Sequence, residues 1–212
     1  LSKLDEQLLN KDEYEQMKRK KIQALKGKLA LVLDSETKYE VYGALFNEYQ
    51  SYNYDSAFVY ANRMMELALQ LDDMLKLTDA RLMAAYSCTS AGLFLEAKEL
   101  LHAIDSTSLD TAHKLGLYSS YSKLYLDMAL AIRHDPYERF YYEQSIRYSE
   151  LIIEAKGEIE PLGMLQLINI YRCRQQYDKA IEATQKFLSS VQVDERSRRL
   201  RSSTCTELKN FC

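Results

Sequence analysis

The chain has 212 residues, 47% hydrophobic and 28% charged, with 28 basic against 31 acidic side chains and a formal net charge of −3. This is the make-up of a folded domain able to bury a core, and it excludes a disordered tail and any whole-chain electrostatic drive toward nucleic acid or anionic lipid. Six glycines and two prolines argue against architectures built on many tight turns or on Gly-rich ligand loops.

No run approaches 18 apolar residues, and the longest are short, such as residues 29–33; none is long enough to span a bilayer. The chain starts at Leu1 rather than Met, so a mature or trimmed fragment is expected, from which a targeting segment can have been removed. Cys88, Cys173, Cys205 and Cys212 form no C-x-x-C pair and lie in no His/Cys cluster. Zinc is therefore not expected, free and partly buried thiols are, and the redox state of Cys205 and Cys212 stays open.

Apolar residues recur at three- and four-residue spacing almost throughout, which predicts helix everywhere. Leu1, Leu4 and Leu8 form a short amphipathic start, and Asn10 or Asp12 caps the next helix. Ile22, Leu25, Leu29 and Val32 then share one stripe of a helix ending near Asp34. Residues 18–21, Lys-Arg-Lys-Lys, read as a solvated face near Glu13 and Glu15, with a phosphate or lipid-headgroup contact as the alternative.

Beyond that point a unit repeats. Tyr54-Asp55-Ser56-Ala57 and Tyr177-Asp178-Lys179-Ala180 each follow a short polar break and open a helix. Residues 92–97 hold a second member ending in Ala97, and Tyr142-Glu143-Gln144-Ser145 a weaker third. The anchors Ala57, Ala97, Ser145 and Ala180 are spaced by 40, 48 and 35 residues, close to the 34 of a helix–turn–helix repeat with insertions. The long step predicts extended helices around residues 115–132 and 137–155. Small anchors allow close helix approach, and larger residues seven positions on reach the next hairpin. One such hairpin cannot bury its apolar face alone, whereas a stack can.

These residues resemble the tetratricopeptide repeat family. The fourth unit matches best, with Met164, Leu167, Ile168 and Tyr171 followed by Tyr177, Ala180 and Phe187, and with Pro161 at a first helical turn. The second has Ala85, Cys88, Gly92, Phe94, Ala97 and Leu101. The first departs, since Tyr49 is one residue late and Leu45 fills a normally small position; the third is further off, and the usual Trp is missing throughout. The N-terminal stretch, from Leu1 and Leu4 through Tyr14 and Ile22 to Tyr39, Tyr42, Phe46 and Tyr49, is similar to the sensor-side region of membrane-anchored regulators in gut Bacteroidales. The resemblance implies an all-α, right-handed superhelical solenoid of antiparallel helix hairpins. It gives a helical lead-in over residues 1–35, four hairpins over 36–190 and a capping helix over 191–212.

What the resemblance implies about function is a non-enzymatic module that binds protein or peptide. It would be the sensory repeat domain of a membrane-anchored bacterial transcription or signalling regulator, on the periplasmic side, with a cytoplasmic location as the alternative. The other readings are a scaffold or oligomerisation domain of an envelope assembly, and a small-ligand or glycan receptor; a homodimer is left open. The groove positions of each first helix give Tyr39, Tyr42, Phe46 and Tyr49, then Asp79, Leu82, Tyr86 and Thr89. The third unit adds Tyr118, Ser122 and Tyr125, and the fourth Leu165, Asn169 and Arg172. Aromatic rings bury much area at low entropic cost and keep a polar handle, which suits recognition, but the same rings also suit the core between helices.

Catalytic and cofactor chemistry is not expected. His102, His113 and His134 share no ligand spacing, His134-Asp135-Pro136 marks a helix end, and Glu158 and Glu160 cap and solvate a turn. None of the common phosphate-binding, nucleophile or zinc motifs occurs. Arg196, Arg198, Arg199 and Arg201 near the C-terminus read as the solvent face of the capping helix, with a phosphate contact as the alternative, and direct nucleic-acid contact by this fragment is not expected.

Overall fold

The computed structural model describes residues 11–190, all of whose regular elements are α-helices. They are α1 (Lys11–Leu31), α2 (Ser35–Tyr49), α3 (Tyr54–Gln70), α4 (Met74–Ser90), α5 (Phe94–His102), α6 (Thr111–Ile132), α7 (Tyr137–Lys156), α8 (Pro161–Cys173) and α9 (Tyr177–Ser190). The all-α, hairpin-built class expected from the sequence is the one observed, and the extended helices expected around residues 115–132 and 137–155 are α6 and α7. The expected Asn10 cap and the 191–212 capping helix lie outside the described residues. The chain divides into two compact units, residues 1–87 and 88–212, the division falling within α4.

In the first unit α2 and α3 form a hairpin and α1 lies against α2. Asp34 does not end α1, which stops at Leu31; it is the N-cap of α2, its carboxylate accepting from Thr37 N at 2.7 Å. Asn53 caps α3 in the same way, accepting from Ser56 N at 2.9 Å, a contact worth about 1 kcal/mol. Gly43 on α2 faces Met64 on α3, where a Cβ would stand 3.4 Å from Met64 Cε. Ile22 of α1 packs with Val41 and Leu45 of α2, backed by Leu25 and Leu29. A second cluster joins Tyr39, Met64, Ala68, Leu77 and Ala80.

In the second unit α6 packs on α7, α7 on α8, and α8 on α9. Pro161 opens α8, where its missing N–H costs nothing. Gly163 follows because a Cβ there would overlap the carbonyl oxygen of Gly157. Gly92 and Gln175 hold the left-handed conformation at equivalent helix ends, φ +79° and +56°. There Leu93 N donates to Cys88 O and Gln176 N to Tyr171 O, both at 2.8 Å, the closure of a Schellman-type helix end.

The repeat register is visible in burial. Each anchor, the residue four on and the residue seven on are buried in all four units: Ala57, Ala61 and Met64; Ala97, Leu101 and Ile104; Ser145, Ser149 and Ile152; Ala180, Thr184 and Phe187. The third marker differs in one respect. Tyr142 lies inside α7, which begins five residues earlier at Tyr137, and this extra turn contributes to the 48-residue step.

Candidate functional site

In the first unit, Tyr42 and Tyr49 are seven residues apart on α2 and therefore share a face. Tyr60 of α3 lies against both, with ring centroids 6.0 Å from Tyr42 and 5.6 Å from Tyr49, and Tyr52 of the turn adds a fourth ring 5.6 Å from Tyr49. Two lysines of α1 reach this cluster. Lys18 Nζ sits 4.1 Å over the Tyr52 ring and donates to Ser51 Oγ at 3.1 Å, and Lys26 Nζ lies 5.8 Å over Tyr49. Burial lowers the Lys18 pKa, whereas hydrogen bonding to Tyr49 raises that of Lys26. Desolvation raises the pKa of Tyr52 and of Tyr60.

Tyr39 and Phe46, expected on the groove, are core residues at 8% and 2% exposure. The Tyr39 hydroxyl donates to Lys76 O at 2.7 Å, and burial pushes its pKa up. The physical reason is a contact between helices: Lys76 lies in the first turn of α4, and the phenol reaches its carbonyl from α2. Asp79, Leu82 and Tyr86 on α4 are half-buried, and Thr89 is buried.

In the second unit, Tyr118, Tyr121 and Tyr125 of α6 meet Tyr141 and Tyr148 of α7. Tyr148 is the hub, its ring stacked on Tyr121 at 4.8 Å and 15° and on Tyr125 at 5.9 Å and 12°, and tilted to Tyr118 at 6.1 Å. Tyr141 stacks on Tyr125 at 6.1 Å, Phe140 meets Tyr141 edge-on, and His102 meets Tyr121 edge-on. Desolvation and the neighbouring phenols push Tyr121 up to about 12 and raise Tyr125 and Tyr148. These hydroxyls are therefore protonated donors at neutral pH.

Ser122, also expected on the groove, is fully buried. Its hydroxyl lies 2.8 Å from Ser149 Oγ and 3.3 Å from Gln166 Oε1, Ser149 Oγ donates to Gln166 Oε1 at 3.0 Å, and Ser145 Oγ donates to Ser122 O at 2.8 Å. This polar seam joins α6, α7 and α8. Leu165 and Asn169 are half-buried, and Arg172 is 9% exposed with Nη1 3.5 Å from Asn169 Oδ1, so it is not an open groove cation.

The expected groove thus falls into three kinds of residue. Tyr42 and Tyr49 meet around Tyr60, and Tyr118 and Tyr125 around Tyr148; Tyr39, Phe46, Ser122, Thr89 and Arg172 are buried elsewhere; and Asp79, Leu82, Tyr86, Leu165 and Asn169 are half-buried. The completing rings Tyr60, Tyr121, Tyr141 and Tyr148 were missed by an alignment confined to groove positions of first helices. A signal existed: Tyr60 and Tyr148 each lie three residues after an anchor, Ala57 and Ser145, on the turn adjoining the first helix.

His113 serves the α6 start, with Nδ1 2.8 Å from the capping Asp110 Oδ1, and His134 is exposed. Glu160 holds the N-cap position of α8 but makes no side-chain cap bond. Among the described residues no group of three His, Cys, Asp or Glu side chains is placed to hold a metal, and no helix is long and apolar enough to cross a membrane. Cys88 and Cys173 are buried free thiols, pushed up to about 11 by desolvation. Cys205, Cys212 and the arginines from Arg196 to Arg201 lie outside the described residues.

The model of the family described as the SusR N-terminal TPR domain matches residues 8–209. No curated protein and no solved structure matches the chain significantly.

Proposed function

The chain belongs to the SusR N-terminal TPR domain family, and from that premise we propose that it is the sensory interaction module of a membrane-anchored bacterial regulator, on the periplasmic side. Hairpin arrays of this class are non-catalytic scaffolds that bind proteins and peptides. The observation that carries the reading is the family match across residues 8–209. The regulator context extends the SusR name in that description, together with the likeness of the N-terminal stretch to Bacteroidales regulators.

The contact surface we assign is the pair of tyrosine clusters. Phenols combine apolar ring area with a hydroxyl group, the chemistry suited to peptide backbone carbonyls and apolar side chains. The test is affinity capture from the native envelope fraction, comparing the parent chain with Tyr42→Ala/Tyr49→Ala and with Tyr118→Ala/Tyr125→Ala. A specific partner lost from either variant while helicity by circular dichroism is retained supports the proposal. Capture unchanged in both variants rejects the assigned surface. Concentration-dependent self-association without any partner would favour the oligomerisation reading instead.

A further inference from the structure

From Gln16 to Leu33 the chain carries six basic residues and no acidic one, inside a protein of overall charge −3. The structure sorts these cations. Ile22, Leu25 and Leu29 turn inward onto Val41 and Leu45, and Lys18 and Lys26 reach the Tyr52 and Tyr49 rings. Lys21 pairs with Glu48 at 2.7 Å while its side chain stays 51% exposed. Lys20 and Lys28 face solvent, as does Arg19, which makes a long 3.8 Å contact to Glu15.

On the same outward side stand Met17, Ala24 and Leu31, all exposed, Leu31 to 83%. Leu33, in the connection to α2, is exposed to 89%. At 100° per residue, Met17, Lys20, Ala24, Lys28 and Leu31 fall within a sector of about 80°, and Met17 and Leu31 lie about 21 Å apart along the axis. The outer face of α1 is therefore a basic stripe with a large apolar side chain at each end, opposite a packed apolar face.

We propose that this outer face of α1 docks on an anionic bilayer surface as a peripheral contact. Lysine ammonium groups on flexible stems suit a diffuse field of headgroup phosphates, while Met17, Leu31 and Leu33 enter the headgroup–acyl boundary. A protein partner would call for a central aromatic or pocketed anchor, and this stripe has none. The proposal does not depend on the tyrosine clusters or on any partner they bind.

The test is co-sedimentation of the full chain with vesicles of phosphatidylcholine alone and with phosphatidylglycerol–phosphatidylcholine vesicles, at low and high salt. Binding to the anionic vesicles alone, falling with salt, is expected. Each lysine near such a surface strengthens binding about fivefold, so Lys20→Gln/Lys28→Gln should weaken it about 25-fold. Met17→Ser/Leu31→Ser/Leu33→Ser should weaken binding while leaving its salt dependence in place. All five positions are exposed, and unchanged thermal melts confirm that the variants fold. The proposal is overturned if anionic vesicles are not bound, if both vesicle types bind equally, or if the lysine variant binds like the parent. Binding to soluble polyglutamate but not to vesicles would overturn it in favour of an acidic protein partner.

Discussion

The seam of Ser122, Ser149 and Gln166 offers the sharpest test of how the α6–α7 pair is held to α8. Gln166 is 5% exposed and both serines are fully buried. Its Oε1 lies 3.0 Å from Ser149 Oγ and 3.3 Å from Ser122 Oγ, and the two hydroxyl oxygens lie 2.8 Å apart. Two hydroxyls that share one mutual bond need a further acceptor for the second hydrogen, and Gln166 supplies it. Gln166→Leu leaves that hydrogen buried without its acceptor, at a cost of about 1–3 kcal/mol. For a chain of this size that is a fall in Tm of roughly 2–4 °C per kcal/mol. Ser122→Ala and Ser149→Ala each remove a satisfied bond, at about 1 kcal/mol apiece. If the three acted independently, the triple variant would lose about 4 kcal/mol, taking the middle of each range. Because the penalty of Gln166→Leu comes from stranded hydroxyls, removing them should relieve it. The triple variant should then lose less than about 2 kcal/mol. Urea unfolding followed by circular dichroism, with the slope checked for constancy, reads the difference. A triple variant as unstable as the sum of its parts would refute the seam as a coupled unit.

Two further predictions concern helix ends. Gln175 adopts φ +56° where the equivalent turn uses Gly92, so Gln175→Gly should stabilise the chain by about 1 kcal/mol, and a Tm that is unchanged or lowered would count against strain there. Asp34, Asp73 and Asp110 each accept a backbone N–H at the start of a helix, and those hydrogen bonds hold their carboxyls below the ordinary value of 3.8; for Asp73 the side-chain bond from Lys76 is the larger cause. With the folded pKa depressed, the unfolded chain binds more protons, so this stability is present above the unfolded pKa and is lost as pH falls through the folded value. The Tm should therefore drop below about pH 4. Asp34→Asn/Asp73→Asn/Asp110→Asn, which keeps capping side chains but no titration, should show a shallower drop, and an identical pH profile would disprove the attribution.

How far the sequence could be read depended on whether a residue's fate was settled locally. The anchors were legible because close helix approach demands a small side chain whatever the neighbours, and all four are buried. The step from Ala97 to Ser145 announced long helices, and α6 and α7 have 22 and 20 residues. The groove was less legible because its assignment needs partners from other helices. Tyr39 is buried since a carbonyl of α4 receives its hydroxyl, and Ser122 since α7 and α8 supply acceptors. Neither partner is within 20 residues in the sequence. Residues 18–21 likewise read as one solvated block, whereas the hairpin turn engages Lys18 and leaves Lys20 outside.

The two tyrosine clusters share a construction that follows from this non-local logic. In both, first-helix rings seven residues apart, Tyr42 with Tyr49 and Tyr118 with Tyr125, are bridged by a second-helix ring three positions past the anchor. The small anchor brings the helix axes close, and the next turn must then fill the space beside the first helix with something wide and flat. A phenol does so. In the second and fourth units the same position is Leu100 and Ala183, and no such ring is available to bridge there. Recognition by tyrosine, if it follows the rings, is then a property of the first and third hairpins, and it depends on Tyr60 and Tyr148 as much as on the first-helix row. Replacing either bridging ring by Leu would keep apolar volume in the gap while removing the stack, separating the packing role of that position from any role in binding.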